Sequence, residues 1–205
     1  MNYEEYWQSP QKELTETDPL IPLKSNLIRK AYTNIPSPKI LDAGCGGGAL
    51  IANYISSNTN VIGIDISDKA IKLAESRNIP NAEFQTSELD KPWNFEDSQF
   101  DIVVSSEVLE HLDNFPLYMQ ESYRVLKPNG KLILTTPYHG LLKNLALCFW
   151  GFDKHFCNYE SGHIRFFSNK KLRQLAESAG FQNIKFKSLG RIPFLAKSTV
   201  LIAEK

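Results

Sequence analysis

The chain has 205 residues, 42% of them hydrophobic, and its 23 Lys and Arg residues balance its 23 Asp and Glu residues. This length and composition predict one domain with a sizeable core. The balanced charge provides no overall basic field to attract nucleic acid, so we expect no nucleic-acid partner. The three cysteines, Cys45, Cys148 and Cys157, are odd in number and widely spaced, which fits neither a disulfide framework nor a zinc site.

No segment of the sequence predicts export or membrane insertion. The N-terminus lacks the basic and apolar regions of a signal peptide. The most apolar stretch, 141–150, contains Lys143 and is about half as long as a bilayer-spanning helix must be. Because free cysteines also suit a reducing compartment, we expect a cytoplasmic protein.

The hydrophobic pattern alternates between strand and helix periods. In chain order it predicts a helix at 20–32, a strand at 39–43, a helix at 47–57, a strand at 61–65, a helix at 67–77, strands at 82–86 and 100–105, a helix at 115–126, a strand at 131–136, a helix at 168–179, and strands at 181–188 and 197–204. Such alternation is typical of a parallel α/β sheet. The short connection between the last two strands favours a hairpin and hence an antiparallel edge strand. We predict a single, doubly wound, Rossmann-like domain over 1–205.

The segment after the first predicted strand carries the clearest chemical signal. Residues 41–48 (LDAGCGGG) indicate a strand end followed by a glycine turn that opens a helix, and the next strand ends at Asp65. Glycines let the backbone approach a ligand closely at the carboxyl ends of the strands. However, Gly44, Gly46 and Ala49 also match the G-x-G-x-x-[GA] pattern of NAD enzymes. The turn alone therefore does not identify the cofactor.

The charge near the turn favours a cationic cofactor. Asp42 lies two residues before the first glycine, where it would repel a pyrophosphate but accept a hydrogen bond from an ammonium or from a water bound to it. S-adenosylmethionine (SAM) carries an ammonium and a sulfonium, whereas NAD carries phosphates. The acidic segment 86–90, after the third strand, could accept from an adenine amino group. Ser105 and Ser106, at the end of the fourth strand, are small enough to leave a carbonyl free for the methionine ammonium.

Five stretches of the chain carry a resemblance to a known family. They are 41–48, 63–65, 100–104, 107–112 and 124–132, with a looser match from 162–168 to 179–181. In their order and spacing the chain resembles the class I SAM-dependent methyltransferases, in the branch that includes ubiquinone-biosynthesis O-methyltransferases. The resemblance implies a seven-stranded sheet whose last strand is antiparallel, with SAM as the cofactor.

The resemblance also implies roles for individual residues. Gly44, Gly46 and Gly48 would line the methionine moiety, Asp65 would bind the ribose hydroxyls, and a carbonyl of Ser105 or its neighbour Ser106 would bind the ammonium. With the flanking residues, the predicted cofactor site comprises Asp42, Gly44, Cys45, Gly46, Gly48, Asp65, Ile66, Glu88, Leu89, Ser105 and Glu107.

The position expected to bind adenine departs from the family pattern. Members usually have Asp there, and this chain has Ser87 and Glu88, so Glu88 is the predicted acid and Asp90 the alternative. Simpler roles stay open for several acids. Asp65 could be only the neighbour of a helix cap, Glu88 a solvated surface acid, and Glu110, together with His111, a group that orders the turn after the fourth strand.

Methyl transfer from a sulfonium is an in-line displacement at an activated carbon, so the protein chiefly aligns the reactants and excludes water. An alcohol or amine acceptor would benefit from a general base, and histidine suits that role near neutral pH. His139, after the fifth strand, and His163 are the predicted catalytic residues, although each could be structural. Because no histidines pair at metal-ligand spacing, we predict no metal site.

Two segments outside the predicted sheet are expected to complete the site. Residues 1–34 would form an N-terminal helical cap, and 137–167 a substrate-binding or lid insert, because long loops in compact domains are commonly functional. Within the insert, apolar residues at helical spacing over 141–149 predict a helix. It could be a lid, a packing helix, a dimer contact or a surface that touches membranes transiently.

We therefore predict transfer of a methyl group from SAM to a small-molecule acceptor, through an oxygen nucleophile. The alternatives are a methyltransferase acting on RNA or protein and a non-catalytic SAM-binding module. A nucleic-acid enzyme would be expected to show an Asn/Asp-Pro-Pro-Tyr motif after the fourth strand, where 105–108 is SSEV. An NAD oxidoreductase would require an apolar residue at position 42.

Overall fold

The structure is a computed structural model that describes residues 17–150, 165–191 and 195–205. Its helices are α1 (Ile21–Tyr32), α2 (Ala49–Tyr54), α3 (Asp68–Ser76), α4 (Phe115–Val125), α5 (Leu141–Trp150) and α6 (Asn169–Ala179), with a 3-10 turn at Leu109–His111. Its strands are β1 (Lys39–Ala43), β2 (Asn60–Asp65), β3 (Ala82–Thr86), β4 (Phe100–Ser106), β5 (Leu126–Pro137), β6 (Gln182–Leu189) and β7 (Ser198–Glu204).

The strands form one seven-stranded sheet in the order β3-β2-β1-β4-β5-β7-β6. The first five strands pair in parallel, and β7 is inserted between β5 and β6, antiparallel to both. The predicted mostly parallel α/β sheet is confirmed, and its edge strand β6 pairs antiparallel with its neighbour. The strand order reverses between β1 and β4, and the loops that leave these two strands diverge there. In open α/β sheets this switch point is where ligands bind.

Two apolar clusters cover the two faces of the sheet. Ile40 in β1 belongs to one, with α1 and α2, and Leu41 belongs to the other, with α4 and α6. Because successive side chains of a strand point to opposite faces, a strand covered on both sides must be apolar at nearly every position. This explains the continuous apolar runs that mark the central strands in the sequence.

At two helix ends lie residues of the types that usually cap helices, a serine and a glycine. The Ser67 hydroxyl caps α3 by accepting from the Ala70 N–H, and Gly180 ends α6 in the left-handed conformation with φ +105°. Helix α2 is shorter than the predicted 47–57, because left-handed Gly48 delays its start and Ile55 is extended.

Strand β5 differs most from its prediction, since it begins at Leu126 instead of residue 131. Leu126 pairs with Phe100 and Lys131 pairs with Ile102, so the residues between them, which include Asn129 and Gly130, form a bulge inside the strand. The C-terminus holds this bulge: the Asn129 N–H donates to the Lys205 carbonyl, and the Lys205 N–H donates to the Gly130 carbonyl.

The described part of the insert forms the predicted helix, α5. Leu141, Leu145 and Phe149 are 75%, 47% and 76% exposed, so this face of α5 does not pack into the core. Residues 151–164, which include His163, and residues 1–16 of the predicted cap lie outside the described residues. Within the described part of the chain, no helix has both the length and the apolar character that crossing a bilayer requires.

Candidate functional site

The glycine turn that follows β1 is tied to β2 and packed against the end of β4. The N–H groups of Gly44 and Cys45 both donate to the Ile64 carbonyl, at 2.8 and 3.0 Å. Gly44 has φ +91°, and a Cβ there would lie 2.3 Å from Val108 Cγ2. The turn also receives a hydrogen bond from the Arg77 side chain at the Gly47 carbonyl. Only glycine at position 44 lets the turn come this close to Val108, which lies in the corner that follows β4.

Substitution of Gly44 by Ala should therefore destabilise the fold by about 1–3 kcal/mol, the usual effect of overpacking with backbone strain. Urea unfolding of the two proteins measures the loss. A second substitution, Val108→Ala, removes the side chain that the new methyl group meets. The double variant should be less destabilised than the sum of the single variants, whereas strictly additive losses would show that the contact with Val108 is unimportant.

Asp65 bridges the glycine turn and the start of α3. Its Oδ2 accepts from the Gly46 N–H and its Oδ1 accepts from the Ser67 N–H, both at 3.0 Å. Ser67 itself caps the helix. Because Asp65 also accepts from Gly46, it is more than the neighbour of a cap: it holds the glycine turn as well. These two bonds fix the orientation of the carboxylate, whose oxygens are hydrogen-bond acceptors. The half-exposed Ile66 follows it at the mouth of the turn.

Asp42 lies deeper than its neighbours in the site. The residue is 1% exposed, and its Oδ2 accepts from the Tyr54 hydroxyl at 3.0 Å. Burial raises the pKa of Asp42 to about 7, although the hydrogen bond from Tyr54 opposes the shift. The neighbouring Cys45 thiol is also buried, which raises its pKa. Contact between Asp42 and a cofactor ammonium stays a prediction.

The two acids considered for adenine have different surroundings. Glu88 is exposed and pairs with Lys91 at 2.8 Å, beside the buried Leu89. Asp90 accepts from the Asn114 N–H at 2.7 Å and thereby anchors the turn before α4. Glu88 is exposed whereas Asp90 is partly buried, so Glu88 is the more accessible of the two.

Ser105, which is buried, lies near the end of β4, and Glu107 begins the corner that follows the strand. Glu107 has a left-handed backbone with φ +56°, and its N–H donates to the Thr135 carbonyl at 3.0 Å. Glu110 is fully buried and accepts from the Thr136 hydroxyl at 3.1 Å. Burial and the charge of Glu107 raise the pKa of Glu110 well above its usual range. Glu110 therefore stabilises this corner from its buried side, through the hydrogen bond from Thr136 in β5.

Lys24 of α1 reaches the same corner and was not predicted. Its Nζ lies 3.0 Å from Ser106 Oγ and 3.4 Å from Glu107 Oε1. The signal in the sequence is a charged residue on the apolar face of a predicted helix, four residues from both Leu20 and Ile28. Helical spacing alone does not show which partner such a charge meets.

His139 lies at the carboxyl end of β5, as predicted. Its Nδ1 is 3.1 Å from Asn144 Oδ1, and its ring centroid is 4.0 Å from that of Phe166. His163, the other predicted base, is outside the described residues. In 17–150, 165–191 and 195–205, no three His, Cys, Asp or Glu side chains are grouped as a metal site would require.

The carboxyl edge of the sheet thus brings together, at the switch point, the glycine turn, Asp42, Asp65 and the corner after β4. Glu88 lies just after the end of β3. A model of a methyltransferase domain matches residues 20–185. The chain belongs to this family of methyltransferase domains. The family resemblance seen in the sequence is confirmed, and SAM is the cofactor that membership implies.

Curated relatives of this methyltransferase domain include ubiquinone biosynthesis O-methyltransferases. It is 34% identical to the mitochondrial enzyme of Rattus norvegicus over 125 residues, which cover 56% of the chain and 36% of the relative. It is 25% identical to the enzyme of Leptothrix cholodnii over 134 residues, which cover 63% of the chain and 57% of the relative. The aligned part of the chain thus spans between 36% and 57% of these relatives.

Solved structures similar to this methyltransferase domain agree on the fold. A methyltransferase in complex with the Trm112 methyltransferase activator of Haloferax volcanii has a TM-score of 0.76 at 16% identity, covering 99% of the chain and 97% of that chain. A SAM-dependent methyltransferase of Thermotoga maritima has a TM-score of 0.74 at 17% identity, covering 99% and 98%. At these identities the likeness concerns the fold alone.

The chemistry of the site fits SAM. The oriented carboxylate of Asp65 suits a ribose diol, because carboxylate oxygens accept hydrogen bonds from hydroxyl groups. Asp42 precedes the turn by two residues and Glu107 follows the end of β4, and acidic side chains suit a ligand that carries an ammonium and a sulfonium.

Proposed function

We propose that this chain transfers a methyl group from SAM to an oxygen atom of a small-molecule acceptor, and that it acts in the cytoplasm. The bridge that Asp65 makes between Gly46 and Ser67 carries the proposal, because it provides an oriented acceptor at the switch point of the sheet. The oxygen acceptor is supported by the relatives, which are named as O-methyltransferases of ubiquinone biosynthesis.

The residues of the site would divide the binding of SAM as follows. Asp65 would accept from the ribose hydroxyls, Glu88 from the adenine amino group, and a carbonyl of Ser105 from the methionine ammonium. When bound, SAM supplies a methyl group that its sulfonium has already activated. The chain's own residues would orient the two reactants and exclude water from them.

The acceptor would meet the site at the carboxyl end of β5. His139 lies there, and its neighbour α5 exposes Leu141, Leu145 and Phe149. We propose that His139 takes the proton of an acceptor hydroxyl, or orients that hydroxyl if it is already ionised. An exposed apolar helix face suits an apolar acceptor, either as a lid over it or through transient contact with the membrane surface that holds it.

Radiolabelled SAM tests the acceptor class directly. The protein would be incubated with a panel of quinols and other phenols, glycan precursors, total protein and RNA, and the labelled product would be isolated. We expect label on a phenolic or quinol oxygen, and none when an Asp65→Ala variant replaces the wild type. Label on RNA or protein alone would refute the small-molecule acceptor. Binding of SAM with no transfer to any member of the panel would favour a non-catalytic module.

A further inference from the structure

His139 is held through the backbone before it, through one ring nitrogen and by a neighbouring ring. The preceding residue, Tyr138, donates its backbone N–H to the Lys197 carbonyl at 2.9 Å, which ties this part of the chain to the start of β7. Nδ1 of His139 lies 3.1 Å from Asn144 Oδ1. The ring centroid lies 4.0 Å from that of Phe166, with 39° between the ring planes. These contacts together orient the imidazole ring.

Asn144 reaches the ring from the first turn of α5. Its backbone N–H donates to the Gly140 carbonyl at 2.9 Å, so the residue belongs to the turn that starts the helix. The neighbouring Lys143 donates from Nζ to the Tyr138 carbonyl at 2.7 Å, which ties the same turn to the residue before His139. The amide of Asn144 is therefore presented to the ring from a backbone that is itself anchored.

The contact with Asn144 determines which ring nitrogen of His139 carries the hydrogen. An amide oxygen only accepts hydrogen bonds, so Nδ1–H is the donor. A neutral imidazole with its hydrogen on Nδ1 has its basic lone pair on Nε2. A histidine in water favours the opposite tautomer, with the hydrogen on Nε2, so an acceptor at Nδ1 changes which nitrogen is the base.

Helix formation does not explain an asparagine at position 144. It is the fourth residue of α5, inside the helix, where Asn is less favourable than Ala or Leu because its side chain competes for backbone hydrogen bonds. The residue is better explained by what its side chain contacts, which is the ring of His139.

We propose that Asn144 is a positioning residue of methyl transfer, which keeps the hydrogen of His139 on Nδ1 and thereby makes Nε2 the general base. Nε2 takes the proton of the acceptor hydroxyl, and an electron pair of that oxygen forms the bond to the methyl carbon. The pair of the broken carbon–sulfur bond stays on sulfur, and the imidazolium then releases its proton to water. The inference rests on the proposed function, because it assumes that His139 faces the acceptor.

Proton–nitrogen correlation NMR of the imidazole rings tests the inference without any ligand. The chain has four histidines, and the spectrum of His139→Gln identifies the signals of His139. At about pH 8, where imidazoles are mostly neutral, the wild-type ring should carry its hydrogen on Nδ1. In Asn144→Ala most of it should move to Nε2. Asn144→Asp, which keeps an oxygen acceptor, should retain it on Nδ1.

Lys143→Met is the matched control for this measurement. It removes the neighbouring hydrogen bond of the same turn, to the Tyr138 carbonyl, and leaves the amide of Asn144 in place. The tautomer of His139 should not change. If Lys143→Met moves the hydrogen as Asn144→Ala does, the rigidity of the turn sets the tautomer and the inference is wrong.

Initial rates with radiolabelled SAM, and with catechol as the acceptor probe, provide a second readout. Asn144→Ala should lower kcat by about tenfold, which is part of the hundredfold or more that a general base contributes, and leave the KM for SAM unchanged. In Asn144→Asp the new carboxylate favours the imidazolium. The rise of activity with pH should therefore move about one pH unit higher, a change that a merely structural residue would not cause.

Three results would overturn the role of Asn144. They are a wild-type ring with its hydrogen on Nε2, an Asn144→Ala variant with the wild-type tautomer and kcat, and, if Asn144→Ala does not fold, an Asn144→Asp variant whose pH profile does not move. A wild type that transfers no methyl group to catechol or to the other acceptors of the panel would instead overturn the proposed function and, with it, this inference. The NMR spectra distinguish the two failures, because they are recorded without SAM or acceptor.

Discussion

Asp65→Ala is expected to abolish measurable binding of S-adenosylhomocysteine, with an affinity at least about a hundredfold below that of the wild type. Hydrogen bonds to charged groups each contribute about 1.5–3 kcal/mol, and the substitution removes at least two. One is the proposed bond to ribose, and the other is the bond from Gly46 that orders the turn. Calorimetric titration measures the change.

Asp113→Ala is the matched control for this prediction. Its side chain is 91% exposed and its nearest cationic partner is 3.9 Å away, so the affinity should not change. Asp65→Asn should fall between Asp65→Ala and the wild type, because the amide oxygen can still accept from one N–H but carries no charge. If Asp65→Ala binds as tightly as Asp113→Ala, the assignment of the cofactor site is wrong.

Asp42→Asn is expected to remove a large pH dependence of stability. Because burial raises the pKa of Asp42 from 3.8 to about 7, the folded state holds the proton more tightly than the unfolded state. The stabilisation is complete below pH 4 and is lost as the pH rises to about 7. The shift corresponds to about 4 kcal/mol in all, more than half of it between pH 5 and pH 8.

Urea unfolding at pH 5 and pH 8 measures this effect. The free energy of unfolding of the wild type should fall more steeply with pH than that of Asp42→Asn, whose amide can still accept from the Tyr54 hydroxyl. Comparing the two proteins cancels the contribution of Glu110, whose raised pKa acts in both. A Tyr54→Phe variant should show a steeper fall than the wild type, since the ionised carboxylate loses its donor. Equal slopes in all three proteins would show that Asp42 titrates normally.

The amino-acid pattern predicted the strands and the glycine turn because their signals are local. Central parallel strands are covered on both faces, so each of them is a continuous apolar run in the sequence. Ser67 marks the start of a helix because its hydroxyl can accept from a backbone N–H, and Gly180 marks the end of another because glycine adopts the left-handed conformation. Asp65 could be singled out because it ends a strand whose neighbour ends in the glycine turn. These features require only a few consecutive residues.

Other features depend on residues that meet only in the folded chain. The bulge in β5 depends on Lys205, more than seventy residues after it, and the ammonium of Lys24 finds Glu107 across the ends of the sheet. The proton affinity of Asp42 reflects how deeply the fold buries it, which no short pattern records.

By itself, the sequence determined the class of fold, the family and the segment that forms the turn, since hydrophobic period and backbone conformation are properties of neighbouring residues. Only the tertiary structure decided which acids are buried, which are paired and which stay accessible. Desolvation and charge pairing depend on distance in space, and the sheet brings together residues that the chain keeps far apart.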